Sequence, residues 1–210
     1  MVRDVELQCR CGKIHGWARG VERSGVNRIL CYCDDCQAYV HHLGRADLLD
    51  AQGGSDIVQV APSSVSFDRG SELIAGVRLS HRGLHRWYAS CCKTPLGNTP
   101  RPVLPVIGFI TEVLQGATDA RPVDEVIGPP HGRVFGKAAI GEPPPGSERM
   151  DVLLVARILR KVLGWKIGGK TWPHPFFDRA SEQPKYPVTV LSRAERDALR
   201  PLCGPRPARA

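Results

Sequence analysis

The sequence predicts a mainly β protein, built from short antiparallel strands pinned together by clustered cysteines and followed by a C-terminal α-helical extension. Three observations predict it. Apolar runs of strand length recur between Pro, Gly, Ser and Asp through the first half of the chain. Seven of the eight cysteines fall into three tight clusters. The one sustained helical periodicity comes late, after residue 147.

The elements follow in order. Val5 to Cys9 alternates and leads into Cys11-Gly12, where glycine permits a tight turn. Lys13 to Arg19 continues as a strand, so Cys9 and Cys11 sit at the turn of a hairpin. Asn27 to Leu30 is a short strand that delivers Cys31, and Gln37 to Leu43 is a short helix stopping near Gly44. After a polar loop at 50–55, strands are expected at Ile57–Val60, Val65–Phe67, Leu73–Ala75, Val77–Leu79 and Leu84–Tyr88, the last delivering Cys91-Cys92. Pro95, Gly97, Asn98, Thr99 and Pro100 predict an irregular segment, and Val103 to Ile110 a buried strand.

Residues 118–145 are rich in Gly and Pro, with strand fragments expected at Val134 and Ile140. Ser147 is expected to open an amphipathic helix near 147–163, with Glu148 in its first turn. Val155, Ile158, Leu159 and Val162 share one face, Arg157, Arg160 and Lys161 the other, and Gly164 ends it. Trp165 to Phe177 reads as a loop. Ser192-Arg-Ala-Glu195 is a capping box that opens a last helix near 193–200. The tail beyond Pro201 is expected to be disordered, with Cys203 a free thiol. These elements divide the chain into a core at 1–113 and an extension at 114–210.

No stretch reaches the roughly 18 apolar residues of a membrane span, and the N-terminus carries no apolar signal region. The chain therefore reads as cytoplasmic. In such a reducing compartment, close cysteines are metal ligands or redox groups before they are structural disulfides. Charge is uneven: residues 149–210 carry 13 basic and 5 acidic side chains, which accounts for the whole net charge of +8. That segment is either a solubilising tail or a contact for an anionic partner.

Cys31-Tyr-Cys33-Asp-Asp-Cys36 offers three thiolates within six residues, too dense for core packing and suited to one zinc ion. His41 and His42 follow as candidate fourth ligands. An open fourth position would accept water or a soft external thiolate. Cys9 and Cys11 supply half of a second site, and Cys91 and Cys92 complete it if the chain turns sharply there. One or two zinc ions are thus expected. Asp34 and Asp35 are candidates to assist proton transfer, solvated loop carboxylates being the plainer reading.

The order C-x-C-G (Cys9 to Gly12), C-x-C-x-x-C (Cys31 to Cys36) and a late Cys cluster before Thr94-Pro95-Leu96 resembles the glutathione-dependent formaldehyde-activating enzyme family, which includes centromere protein V. The resemblance covers roughly residues 5–100. It implies a zinc-stapled β-tent fold. It further implies a structural zinc on Cys9, Cys11 and Cys92, and a catalytic zinc on Cys31, Cys33 and Cys36 that exchanges a ligand with glutathione. The activity implied is that of a carbon–sulfur lyase acting on a thiol adduct. Gly70-Ser-Glu-Leu73 loosely matches a Gly-acidic-Leu stretch of the family. Four positions depart from the pattern. Ala89 stands where the late cluster's first Cys belongs, and Lys93 replaces its Gly. Tyr32 replaces a His, and Gln37 replaces the basic residue after the third middle thiol. A non-enzymatic, zinc-stapled module that engages an anionic partner through residues 149–210 is the competing expectation.

Overall fold

The structure, a computed structural model, describes residues 3–114, 123–149 and 151–205. Part of the expected Gly- and Pro-rich connection, and the last residues of the tail, lie outside them.

Two sheets form the body. Strands β1 (Arg3–Gln8), β2 (His15–Val21) and β5 (Val65–Arg69) make a three-stranded antiparallel sheet in the order β1-β2-β5. The second sheet has eight strands. Its antiparallel centre runs through β3 (Asn27–Cys31), β4 (Ser55–Val60), β9 (Ile107–Ile110), β8 (Pro95–Thr99), β7 (His85–Ala89) and β6 (Ile74–Arg78). Its edges are parallel additions from late in the chain: β10 (Gly132–Val134) on β3, and β11 (Val188–Val190) on β6. The mainly β fold with a C-terminal helical extension is as the sequence predicts.

Period-two alternation builds the core between the sheets. Val5, Leu7 and Ala18 face Val58, Trp87, Leu96 and Phe109, all buried. Phe176 and Phe177 enter from the extension, and Phe176 stacks on Trp87 with ring centroids 4.7 Å apart. The segment 165–177, expected as a loop, thus ends in core residues. Gly70 closes the β5–β6 corner at φ +70°, and a Cβ there would lie 2.1 Å from the Lys13 carbonyl oxygen, so only glycine fits.

Among the described residues, four helices complete the body: α1 (Asp34–His42), the single turn α2 (Val123–Val126), α3 (Val152–Ile167) and α4 (Arg193–Leu199). The Ser192–Glu195 capping box is formed as expected.

Several expectations are corrected. α1 starts three residues early, which puts Cys36 in its first turn. Leu73 to Leu79 does not make two strands, because β6 runs unbroken through Gly76. Pro95 to Thr99 is a fully buried strand rather than an irregular segment: Pro95 occupies the first position, where a missing N–H is tolerated, and Gly97 lies under the Gly108 carbonyl. Ser147 does not cap α3. Its hydroxyl donates to the Pro144 carbonyl at 2.6 Å, and Asp151 caps instead by accepting from Leu153 N–H at 2.9 Å. Gly164 does not end the helix, which continues to Ile167. Ile140 lies outside any strand. Pro201 and Leu202 continue α4 as a 3-10 turn, and Cys203 packs against the α1 cluster, donating to the Leu199 carbonyl at 3.4 Å.

Candidate metal centres

The β1–β2 turn carries Cys9 and Cys11. Gly12 N–H donates to the Cys9 carbonyl at 2.8 Å, and Ile14 N–H donates to Cys9 Sγ at 3.3 Å. The β7–β8 turn carries Cys91 and Cys92. It closes through Lys93, at φ 58°, whose N–H donates to the Ala89 carbonyl at 2.8 Å. The sharp turn that both thiols require thus lies at Lys93 and not at Pro95 or Gly97. Thr94 joins the two turns: its hydroxyl accepts from Arg10 N–H at 3.0 Å and lies 3.1 Å from Cys92 Sγ.

The structure therefore brings Cys9, Cys11, Cys91 and Cys92 together, all within 4.8 Å of one another. Neighbouring sulfurs are 3.6 Å (Cys9–Cys11), 3.4 Å (Cys11–Cys91) and 3.8 Å (Cys91–Cys92) apart. A tetrahedral ion with metal–sulfur bonds of about 2.3 Å spaces its sulfurs by about 3.8 Å, so this donor set fits one. Burial would raise the Cys92 thiol, but Thr94 and the Cys11 backbone outweigh it and hold it down to about 6. Burial and the neighbouring Cys11 thiol push Cys91 up to about 12.

The second cluster forms where β3 runs into α1. Cys31 ends β3, Cys33 is the N-cap, and Cys36 N–H donates to the Cys33 carbonyl at 3.0 Å. The C-x-C-x-x-C spacing thus places one thiol on a strand end, one at a cap and one in a helical first turn. The three sulfurs lie within 4.8 Å, with Cys31 and Cys33 3.5 Å apart. No His, Asp or Glu among the described residues joins either group; His41 and His42 lie elsewhere on α1. One cluster thus offers four donors and the other three.

Arg86 is the residue that sequence reasoning missed. It is 1% exposed, on β7, with its guanidinium 3.7 Å from Cys36 Sγ and donating to Asn98 Oδ1 at 3.1 Å. It also lies 3.8 Å from Asp35 and over the Tyr39 ring. Hydrogen bonds from Cys31 and Cys33 and, against burial, the Arg86 charge hold Cys36 well below the usual thiol range. Cys31 is pushed up by its thiol neighbours and by burial. The guanidinium is thus the counter-charge to the buried Cys36 sulfur.

The three-thiol cluster lies on the wall of a cavity of about 450 Å³. Ile29, Ile57, Leu84, Val106 and Phe135 provide its apolar walls, and Asp34, Asp35 and Arg86 its charged groups. Tyr32 and Gln37 do not line it. The Tyr32 hydroxyl donates to Asp50 at 2.8 Å. Gln37 is fully buried: its amide donates to the Tyr32 and Ala138 carbonyls and accepts from Gly204 N–H.

No functionally curated protein matches the chain. A crystal structure of a Rhodobacter sphaeroides protein, solved as a structural-genomics target, is 17% identical, with a TM-score of 0.41 over 61% of this chain and 98% of that one. Residues 1–185 match a family of unknown function, DUF6151, and the chain belongs to that family.

Proposed function

We propose that this is a two-zinc protein in which Cys9, Cys11, Cys91 and Cys92 hold a structural ion and Cys31, Cys33 and Cys36 hold a reactive one. The reaction we propose is a carbon–sulfur lyase type of step on a thiol adduct. The observation that carries the reading is the contrast between the clusters: four donors gathered in one, and three donors on the wall of a cavity of about 450 Å³ in the other. Four thiolates close a tetrahedral ion, and three leave a position for an incoming ligand. The motif resemblance to glutathione-dependent formaldehyde-activating enzymes supports the same division of labour.

A zinc ion at the three-thiol site would supply an exchangeable position that holds a thiol as its thiolate. In the forward direction the thiolate sulfur adds to an aldehyde carbon. A C–S bond forms, the C=O π bond breaks, and the proton lost by the thiol ends on the new hydroxyl. The chain's own part is to offset charge through Arg86, to exclude water with the apolar walls, and to relay the proton through Asp34 or Asp35. Cysteines clustered as metal ligands suit a reducing compartment, and we place the protein in the cytoplasm.

Elemental analysis of protein purified without added metal tests the first step, with about two zinc ions per chain expected. Cys33→Ser should keep one ion and lose thiol-dependent capture of ¹³C-formaldehyde followed by NMR. Unchanged capture by a folded Cys33→Ser protein would sink the assignment.

A second reading is favoured by α3. Val152, Leu153, Leu159, Leu163 and Ile167 are between 59% and 79% exposed, so Leu159, on the apolar face of the helix, points outward. Arg157, on the basic face, donates to Asn27 Oδ1 at 3.1 Å and to the Val26 carbonyl at 3.0 Å. The helix holds no acidic residue, so pairing with a second copy would set like charges together. An apolar stripe edged by Arg160 and Lys166, in a segment carrying the whole net charge, fits an anionic lipid surface. Nucleic acid offers the stripe nothing apolar. Cosedimentation with phosphatidylserine vesicles should fall steeply with salt and be abolished by Leu159→Glu. Salt-independent dimerisation without vesicle binding would replace this reading with a second copy as occupant.

A further inference from the structure

Resting on the reactive-site reading above, we propose that the thiol this site accepts is a small, uncharged, apolar one rather than glutathione. The cavity beside Cys31, Cys33 and Cys36 has hydrophobic walls, and Leu84 and Phe135 are among its partly exposed apolar lining residues. Burying an alkyl chain against them is favourable roughly in proportion to the area covered.

The charges point the same way. Glutathione carries two carboxylates and one ammonium, so its thiol arrives on a net anion. Among the described residues, the one cation lining the cavity is Arg86, which is buried and committed to Cys36, Asn98 and Asp35. The other charged lining groups are the carboxylates of Asp34 and Asp35. Three thiolates around a divalent ion add a further negative charge. An anionic ligand meets a field of its own sign, with no uncommitted cation among the described lining residues to hold its carboxylates. Gln37, which stands where the resembled family has a basic residue, is turned into the body of the fold and pinned by three hydrogen bonds. Arg200 pairs with Asp34 at 3.5 Å and is not a lining residue. A neutral thiol with a short hydrocarbon body meets none of this repulsion and fills the walls.

The test is a titration of cobalt(II)-substituted full-length protein with 1-hexanethiol and with glutathione, reading the sulfur-to-cobalt absorption that a bound thiolate adds. Hexanethiol should bind at least tenfold more tightly. Phe135→Asn removes an apolar wall while keeping a residue that tolerates the left-handed backbone at this position, φ 61°. It should weaken hexanethiol about tenfold and leave glutathione and cobalt content unchanged; Leu84→Ser is the second variant should the first fail to fold. Glutathione binding as tightly as hexanethiol, or hexanethiol indifferent to both wall variants, would overturn the inference and leave the reactive-site reading standing. If neither thiol altered the spectrum, the reactive-site reading would fall, and this one with it.

Discussion

Arg86 carries the electrostatics of the three-thiol site, and its loss is felt on both sides of the interaction. It is buried beside the Cys36 sulfur, so Arg86→Met leaves a buried anion without its counter-charge. Removing one partner of a buried pair costs about 3–5 kcal/mol. Urea unfolding should show a loss of that size, with Arg86→Lys losing less because the charge survives; equal losses would mean that Arg86 acts through packing alone. The seven clustered thiols were legible in the sequence because their spacing is local. Arg86 was not, because its partner lies fifty positions away and a lone Arg in a strand has no signature. His174 was invisible too, because a lone His carries no signature of its burial. It is 2% exposed, its Nδ1 accepts from Phe176 N–H, and burial, then Lys185, hold its pKa down to about 3. The imidazole is neutral when folded, while the unfolded chain takes up the proton below the ordinary 6.5. Its contribution is therefore full above pH 6.5 and is lost at about 1.4 kcal/mol per pH unit as pH falls toward 3. His174→Asn keeps an acceptor for Phe176 and should flatten that acid limb in denaturant titrations at stepped pH. An unchanged limb would assign it to the other titrating groups.

At the scale of elements, the sequence was readable wherever one segment determines its own conformation. The β1–β2 hairpin, β3, β4, β7 and the capped α4 all lie within a few residues of expectation. Pro95 to Thr99 was not, because proline and glycine signal a break locally while the sheet uses them for register and close approach. A Cβ on Gly97 would sit 2.8 Å from the Gly108 carbonyl and 3.2 Å from Phe109 Cα, both backbone atoms that cannot swing away. Gly97→Ala should therefore destabilise by about 1–3 kcal/mol. Gly164, within α3, has nothing within 4 Å of its Cβ direction. Gly164→Ala should stabilise by up to about 1 kcal/mol through helix propensity alone. Thermal melts of the two variants should move in opposite directions, and a loss at Gly164 would mean that α3 is covered there in solution. The orientation of α3 escaped the sequence for a related reason. Hydrophobic periodicity marks an apolar face without saying what covers it, and here Leu154 and Arg157 face the body while Leu153, Leu159 and Leu163 face out.

At the scale of the molecule, composition divides the chain near residue 113, yet the sheet spans that boundary. We propose that the boundary divides the sequence and not the folding unit. β10 pairs with β3 along Ile29 to Cys31, so the strand that delivers the three-thiol site is interior only because the extension covers its edge. β11 covers β6 at the other end. Arg28, buried on β3, donates to Asp56 at 2.6 Å and to the Gly128 carbonyl at 2.7 Å, which fastens the extension beside the site. Phe176 and Phe177 are 0% and 1% exposed in the main core. Emptying one buried Phe costs about 3–5 kcal/mol, and a domain of this size holds about 5–15 kcal/mol in all. A fragment ending at residue 113 would lose both rings, both edge strands and the Arg28 anchor together. It should give a collapsed chain with poor amide dispersion in ¹H–¹⁵N spectra, even though it retains all seven clustered cysteines. Adding zinc should recover only the four-thiol turn, whose donors and Thr94 clasp lie wholly within the fragment, and the three-thiol site should stay unformed. A fragment with dispersed spectra, cooperative melting and two zinc ions would instead make residues 1–113 a self-sufficient domain and the extension a dispensable cover.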